Sequence, residues 1–331
     1  MLWTEKYRPA AFSDILGQDQ VVRLLRSFAK SGSVPHLVMS GPHGTGKSSA
    51  IACFARELYG EDWELNTTIF PTADLFLQGR AFLEQDERYV HLYQKNLSLI
   101  NNFKHILREY ASIRPLDTGF KLMVFEDAQA LTREAQAVLR RIMERYSPTC
   151  RFIFSTTNQS SLIPPVTSRC LPLVFFPVGR DASLRHLAAI RDQEAGGMYP
   201  CSDDELELIE QAARGDLRRA ILLLQLALET GSCADLLPVS QSETATIASS
   251  AFAGLRDAEL KAGIRKLESL MIDYGLSGEE VFSEIRSVIR REFNDPLLAI
   301  ALADAEHRYQ HCSNEYIQVG AFAADSLGWF L

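Results

Sequence analysis

Short runs that are apolar at consecutive positions punctuate the first 180 residues: Leu37-Val38-Met39-Ser40, Lys121-Leu122-Met123-Val124-Phe125 and Arg151-Phe152-Ile153-Phe154-Ser155-Thr156. A strand patterned this way has no face to offer water, which is the habit of parallel sheets covered on both sides. Helical stretches fill the intervals, as from Lys47 to Tyr59. The alternation predicts an α/β fold built on a doubly wound parallel sheet. From about Asp181 onward the segments read as helical, with no good strand candidate. Asp203 to Ala213 and Asp216 to Glu229 form a pair separated by Gly215, and Ser240-Gln241-Ser242-Glu243-Thr244, after Pro238, is the best linker. Asp257 to Tyr274, Ser277 to Phe293, Pro296 to Cys312 and a segment from Asn314 follow as helices, with Ser277-Gly278-Glu279-Glu280 predicting a capping box. The expected division is 1–165 for an α/β core, 166–236 for a first helical part and 237–331 for an all-helical C-terminal domain.

Composition narrows the class. The chain has 331 residues, 47% hydrophobic and 23% charged, which suits a folded protein of two or three domains. Its net charge of −8 argues against a protein that coats nucleic acid by bulk charge, and leaves room for a local basic patch. No apolar run reaches the length of a membrane span, and Met1-Leu2-Trp3-Thr4-Glu5-Lys6 lacks the apolar stretch of a signal peptide. The six cysteines are scattered with no Cys-x-x-Cys pair, so reduced thiols are expected rather than a disulfide framework or zinc site.

The strongest chemical signal is Gly41-Pro42-His43-Gly44-Thr45-Gly46-Lys47-Ser48, followed by Ser49, between an apolar strand and a helix. It fits G-x-x-x-x-G-K-[ST] in the context that motif requires. Glycines let successive backbone N–H groups close on phosphate oxygens, the helix N-terminus adds positive potential, and Lys47 reaches the β- and γ-phosphates. Ser48 supplies a hydroxyl to Mg²⁺. A glycine-rich structural turn is the bland alternative. Downstream, the strand from Lys121 ends in Glu126-Asp127, the acidic pair a P-loop needs to hold metal and polarise water, although such a pair can also simply cap the next helix.

Taken together the motifs resemble the AAA+ clamp-loader ATPases, in particular the small subunits of replication factor C. Trp3-Thr4-Glu5-Lys6-Tyr7-Arg8-Pro9 with Ile15-Leu16-Gly17-Gln18 is similar to the family's N-terminal signature. Ala130 to Gln136 leading into Leu139 to Glu144, Thr157-Asn158, Ser168-Arg169-Cys170, Gly215 to Ala220 and Asp273 to Gly278 resemble its later segments in order. The resemblance implies an AAA+ core with a helical lid and an oligomerising collar. It places Tyr7, Arg8, Ile15 and Leu16 beside the adenine of ATP and makes Asn158 the sensor that orients water or γ-phosphate. Arg218 would sense phosphate from the lid, Glu126 and Asp127 would act on metal and water, and Arg169 would reach in trans into a neighbour's ATP; a surface salt bridge is the plainer reading of Arg169. Implied partners are other replication factor C subunits in a hetero-pentamer, the sliding clamp proliferating cell nuclear antigen and primer–template DNA, with no membrane, in the cytoplasm or, in a eukaryote, the nucleus.

The departures matter too. The family order is Asp then Glu, and here it is Glu126 then Asp127; Gln129 stands where a second Asp is usual, and His43 replaces a proline. The stretch from Glu61 to Thr118 is longer than usual and has Phe70-Pro71-Thr72-Ala73-Asp74 in place of Asn-Ala-Ser-Asp. These changes favour a specialised paralogue with weakened hydrolysis. Arg108, Arg133, Arg140 and Arg141 are the DNA candidates, the last three on a segment, Thr132 to Arg145, with four arginines against two glutamates. A solvated or inter-subunit salt-bridged face is the competing reading. Ser112 to Leu116 is the candidate clamp contact. Three functions compete: a clamp-loading ATPase subunit, an ATP-binding structural subunit that hydrolyses little and lends Arg169 to a neighbour, and another AAA+ DNA motor.

Overall fold

The computed structural model describes residues 2–113, 119–194, 201–213, 215–231, 243–256, 260–290, 296–309, 312 and 314–330. The chain divides into two compact units, Met1–Gly231 and Ser232–Leu331. Within the first, the described residues form five strands: β1 (His36–Ser40), β2 (Thr67–Pro71), β3 (Lys121–Glu126), β4 (Cys150–Thr156) and β5 (Cys170–Val174). They pair in parallel in the order β2-β3-β4-β1-β5.

Successive side chains of a strand leave opposite faces, and here both faces are buried. Leu37, Met39, Leu122, Val124 and Ile153 pack beneath α2 (Asp19–Ser31) and α3 (Lys47–Tyr59). Val38, Met123, Phe125, Phe152 and Phe154 pack on the other face against α4 (Thr72–Leu77), α5 (Arg80–Gln85), α6 (Leu99–Ser112) and α7 (Arg133–Tyr146). Strand register stacks three rings across the sheet: Phe70 lies on Phe125 at 5.1 Å and Phe125 on Phe154 at 5.2 Å between centroids. The long segment after β2 thus enters the core, with Leu75, Leu83 and Tyr89 buried against this ladder.

The sheet runs beyond residue 165, the expected end of the core. β5 pairs with β1 from His36↔Cys170 to Ser40↔Val174, so the core extends at least to Val174. Only Leu173 of this outer strand is buried, which is why hydrophobicity alone does not mark it. Pro71 and Pro172 fall on the two outer strands. The remaining helices of this unit are α1 (Trp3–Lys6), α8 (Pro164–Thr167), α9 (Arg180–Glu194), α10 (Asp203–Ala213) and α11 (Leu217–Thr230). Buried Trp3 ties α1 to α11, its backbone N–H donating to Gln225 Oε1 at 2.9 Å.

The second unit contains α12 (Glu243–Arg256), α13 (Leu260–Ile272), α14 (Gly278–Val288), α15 (Pro296–Tyr309) and α16 (Glu315–Phe330) around Phe252, Phe282 and Phe322. The expected capping box forms: Ser277 N–H donates to Glu280 Oε2 at 2.8 Å and Glu280 N–H returns to Ser277 Oγ at 3.4 Å. The sequence pattern does not predict α12. Its buried face is Ala248, Ala251, Phe252 and Leu255, a helical spacing carried in good part by alanines. A Cβ on Gly263 would sit 2.7 Å from the Leu255 side chain, so α13 approaches α12 where only glycine fits. Most of the expected linker, 240–242, lies outside the described residues. No described helix is long and apolar enough to cross a membrane, and the described cysteines form no disulfide.

Candidate functional site

The carboxyl ends of β1, β3 and β4 open into a cavity of about 560 Å³, a volume suited to a nucleotide-sized ligand. β1 stops at Ser40, the glycine loop follows, and α3 starts at Lys47 behind Gly46 in the left-handed region. His43, Gly44, Thr45, Gly46, Lys47, Ser48 and Ser49 all line the cavity. Gly41 and Pro42 lie behind it, their carbonyl oxygens each accepting from Lys47 Nζ at 2.6 Å. Burial lowers the Lys47 pKa, while the carboxylates of Asp127 and Asp216 oppose that shift. Gly44 has φ +67°, and a Cβ there would fall 1.7 Å from Asp216 Oδ1. Asp216 is also the N-cap of α11, accepting from Arg219 N–H at 3.0 Å, so the lid's second helix begins against the loop.

Glu126 ends β3 and Asp127 follows with φ +51° and ψ +46°, alone among the described non-glycine residues in having positive φ. That conformation costs about 1–2 kcal/mol for an L-residue. Hydrogen bonds offset it, each contributing about 1 kcal/mol. The buried Thr72 hydroxyl, at the start of α4, reaches the Glu126 carbonyl and the Asp127 carbonyl, the latter at 2.7 Å. Gln129 Nε2 donates to Asp127 Oδ1 at 3.0 Å. Both carboxylates line the cavity.

Tyr7, Arg8, Ile15, Leu16 and Arg218 line the same cavity. The Tyr7 hydroxyl and the Lys6 ammonium both donate to Glu194 on α9; burial first and this carboxylate second push the Tyr7 pKa up to about 12. Asn158 stands differently. Its Oδ1 accepts from Ser160 N–H at 3.0 Å, capping the 3-10 turn Gln159–Ser161, and the β4-end residues on the cavity wall are Ser155 and Thr157. Arg169 is outside the cavity, paired with Glu144 of α7 at 2.5 Å and donating to the Pro165 carbonyl at 2.7 Å. His186 of α9 is a wall residue that no sequence motif marks; burial lowers its pKa.

For Mg²⁺ the donor set fits: the Ser48 hydroxyl and the Glu126 carboxylate line the same cavity as the glycine loop. Mg²⁺ bound with a nucleotide needs only one or two carboxylates beside the phosphates. Accordingly, among the described residues no group of three or more His, Cys, Asp or Glu gathers as a metal cage.

A second feature is a groove of about 360 Å³ between α6 and α7, lined by Lys104, Arg108, Arg140 and Arg141 with Glu134. Arg140 is drawn toward Glu144 at 3.8 Å. Arg133, in the first turn of α7, is outside this lining. Lys104 is an addition to the basic residues that the sequence singles out. Of the candidate clamp loop, Ile113 is exposed, and Arg114 to Leu116 lie outside the described residues.

A family model described as DNA polymerase III, delta subunit, matches residues 17–179. The replication factor C small subunit of Picrophilus torridus is 35% identical over 333 residues, spanning 98% of this chain and 96% of its own. The chain belongs to the replication factor C small subunit family. The family's protein in Archaeoglobus fulgidus is 34% identical over 332 residues, with 98% of this chain and 96% of that one covered. The fold is shared more widely. The Thermotoga maritima RuvB Holliday junction branch migration motor superposes with a TM-score of 0.53 at 14% identity, over 84% of this chain and 85% of that one; a point variant of the same RuvB gives 0.52. At that identity the likeness speaks for the AAA+ fold alone. Membership in the replication factor C family carries with it nucleotide binding and work within a multi-subunit complex.

Proposed function

We propose that this chain is an ATP-binding subunit of a clamp loader, acting with other replication factor C subunits to place a ring-shaped sliding clamp on primer–template DNA. The observation that carries this is one cavity joining the Lys47 loop, the Glu126-Asp127 strand end and Arg218 of the lid, in a chain that matches its family from end to end. Ser48 and Glu126 would hold Mg²⁺, which supplies charge neutralisation at the β- and γ-phosphates. Lys47 binds those phosphates, Arg218 approaches from the lid, and Tyr7, Arg8, Ile15 and Leu16 receive the base. Asp127 is the water-polarising carboxylate: it is the more exposed of the pair and close enough to Lys47 to act on its charge. Thr157, rather than Asn158, faces the reacting phosphate from just past the end of β4. Arg169 serves a neighbour's site, exchanging Glu144 for a phosphoryl group as subunits assemble.

Titration with a fluorescent ATP analogue and Mg²⁺ tests the cleft. Wild-type chain binds, and Lys47→Ala loses at least about 30-fold in affinity, roughly the removal of one charge-assisted phosphate contact. Equal binding by both proteins would refute the assignment. Clamp loading on primed DNA by the reconstituted complex, abolished when this chain is omitted, tests the wider role.

A further inference from the structure

Gln129 sits in the 3-10 turn Ala128–Ala130, half-buried between two strand ends. Its amide oxygen accepts from the Thr157 backbone N–H at 3.2 Å and its amide nitrogen donates to Asp127 Oδ1 at 3.0 Å. The orientation is forced. A backbone N–H only donates, so the oxygen must face Thr157, and the two donor hydrogens are left for the carboxylate. Asp127 and Thr157 both line the cavity and leave neighbouring strands, β3 and β4. One side chain therefore links the carboxylate to the backbone just past the end of the neighbouring strand.

We propose that Gln129 is the positioning residue for Asp127, fixing the carboxylate for ATP hydrolysis by anchoring it to the Thr157 backbone just past β4; this rests on the nucleotide reading of the cleft. An aspartate in an exposed turn has several staggered rotamers open to it. The Gln129 amide selects one, occupies Oδ1 and leaves Oδ2 to face water. In the step it serves, a water molecule gives a proton to Asp127 while its oxygen bonds to the γ-phosphorus. The bond from that phosphorus to the β–γ bridging oxygen breaks, leaving ADP and phosphate. A carboxylate misplaced by about 1 Å loses on the order of 100-fold in such a step. Ground-state binding of the triphosphate does not involve Gln129, so the effect belongs in turnover.

The test uses the assembled complex with its other nucleotide sites disabled, comparing wild type with Gln129→Met and Gln129→Glu. The first removes both hydrogen bonds at nearly constant length; the second keeps the acceptor for Thr157 and removes the donor to Asp127. Both are expected to lower turnover at saturating ATP at least about 10-fold, with ATP affinity and KM within about twofold and thermal midpoints near wild type. Four results would overturn the proposal: turnover near wild type in Gln129→Met, recovery of turnover in Gln129→Glu, a loss of affinity as large as the loss of turnover, or no turnover by the wild-type site. Failure of wild-type chain to bind ATP at all would instead refute the cleft.

Discussion

Gly44 and Asp216 show how one atom's worth of space joins loop to lid. The glycine's positive φ and the 1.7 Å approach of the aspartate to its missing Cβ leave no room for alanine. Gly44→Ala is expected to strain the loop and push Asp216 from its cap on α11, the latter alone costing about 1 kcal/mol. ATP affinity should fall about tenfold or more by fluorescence titration; unchanged affinity would mean the lid does not bear on the loop. At this scale the sequence is legible where a motif is consecutive, as from Gly41 to Ser49. It is illegible where a one-residue offset decides which side chain meets the cavity. Thr157 and Asn158 are neighbours, and only the point where β4 ends assigns one to the wall and the other to a cap. Likewise Asp127 and Gln129 read as two separate departures from the family pattern, and hydrogen-bond to each other in the folded chain.

Among the elements, β1, β3 and β4 are legible because continuous apolar runs leave no other reading. β5 and α12 are not, since one buries a single side chain and the other packs largely through alanines. β1 opens on a histidine. His36 Nδ1 accepts from Phe152 N–H at 3.2 Å, and its ring meets Phe152 edge-on. Burial, and after it the Arg151 guanidinium, lower the His36 pKa to about 4. The unfolded chain takes up a proton near pH 6.5 that the folded chain refuses. This contribution to stability is therefore complete above about pH 6.5, shrinks on acidification and is lost by about pH 4. Allowing for partial exposure, it is worth no more than about 2 kcal/mol. Replacing His36 by Gln, which keeps an acceptor, should flatten denaturant-derived stability between those pH values; a slope equal to wild type would contradict the assignment.

For the whole molecule, the acidic balance conceals a basic groove that only folding assembles, since Lys104 and Arg108 come from α6 and Arg140 and Arg141 from α7. If the complex grips DNA there, Arg108→Ala and Arg141→Ala should weaken binding alike on unrelated sequences. Each should also reduce the slope of log affinity against log salt by about 1. Sequence-dependent losses would point to base contacts instead. Arg169 makes a complementary case. In the isolated chain, Arg169→Ala removes a half-exposed ion pair worth under about 1 kcal/mol. In the assembled complex the same change should depress ATP turnover, and turnover equal to wild type would confine Arg169 to its salt bridge.

The prolines of β2 and β5 bear on how the chain meets a neighbour. A β-sheet invites a further strand wherever its rim presents an unbroken ladder of N–H and C=O groups, and proline has no N–H to give. With one such gap on each rim, Pro71 and Pro172 discourage docking by strand addition. Association with a neighbouring chain is left to side chains, whose contacts can be remade without unzipping the fold.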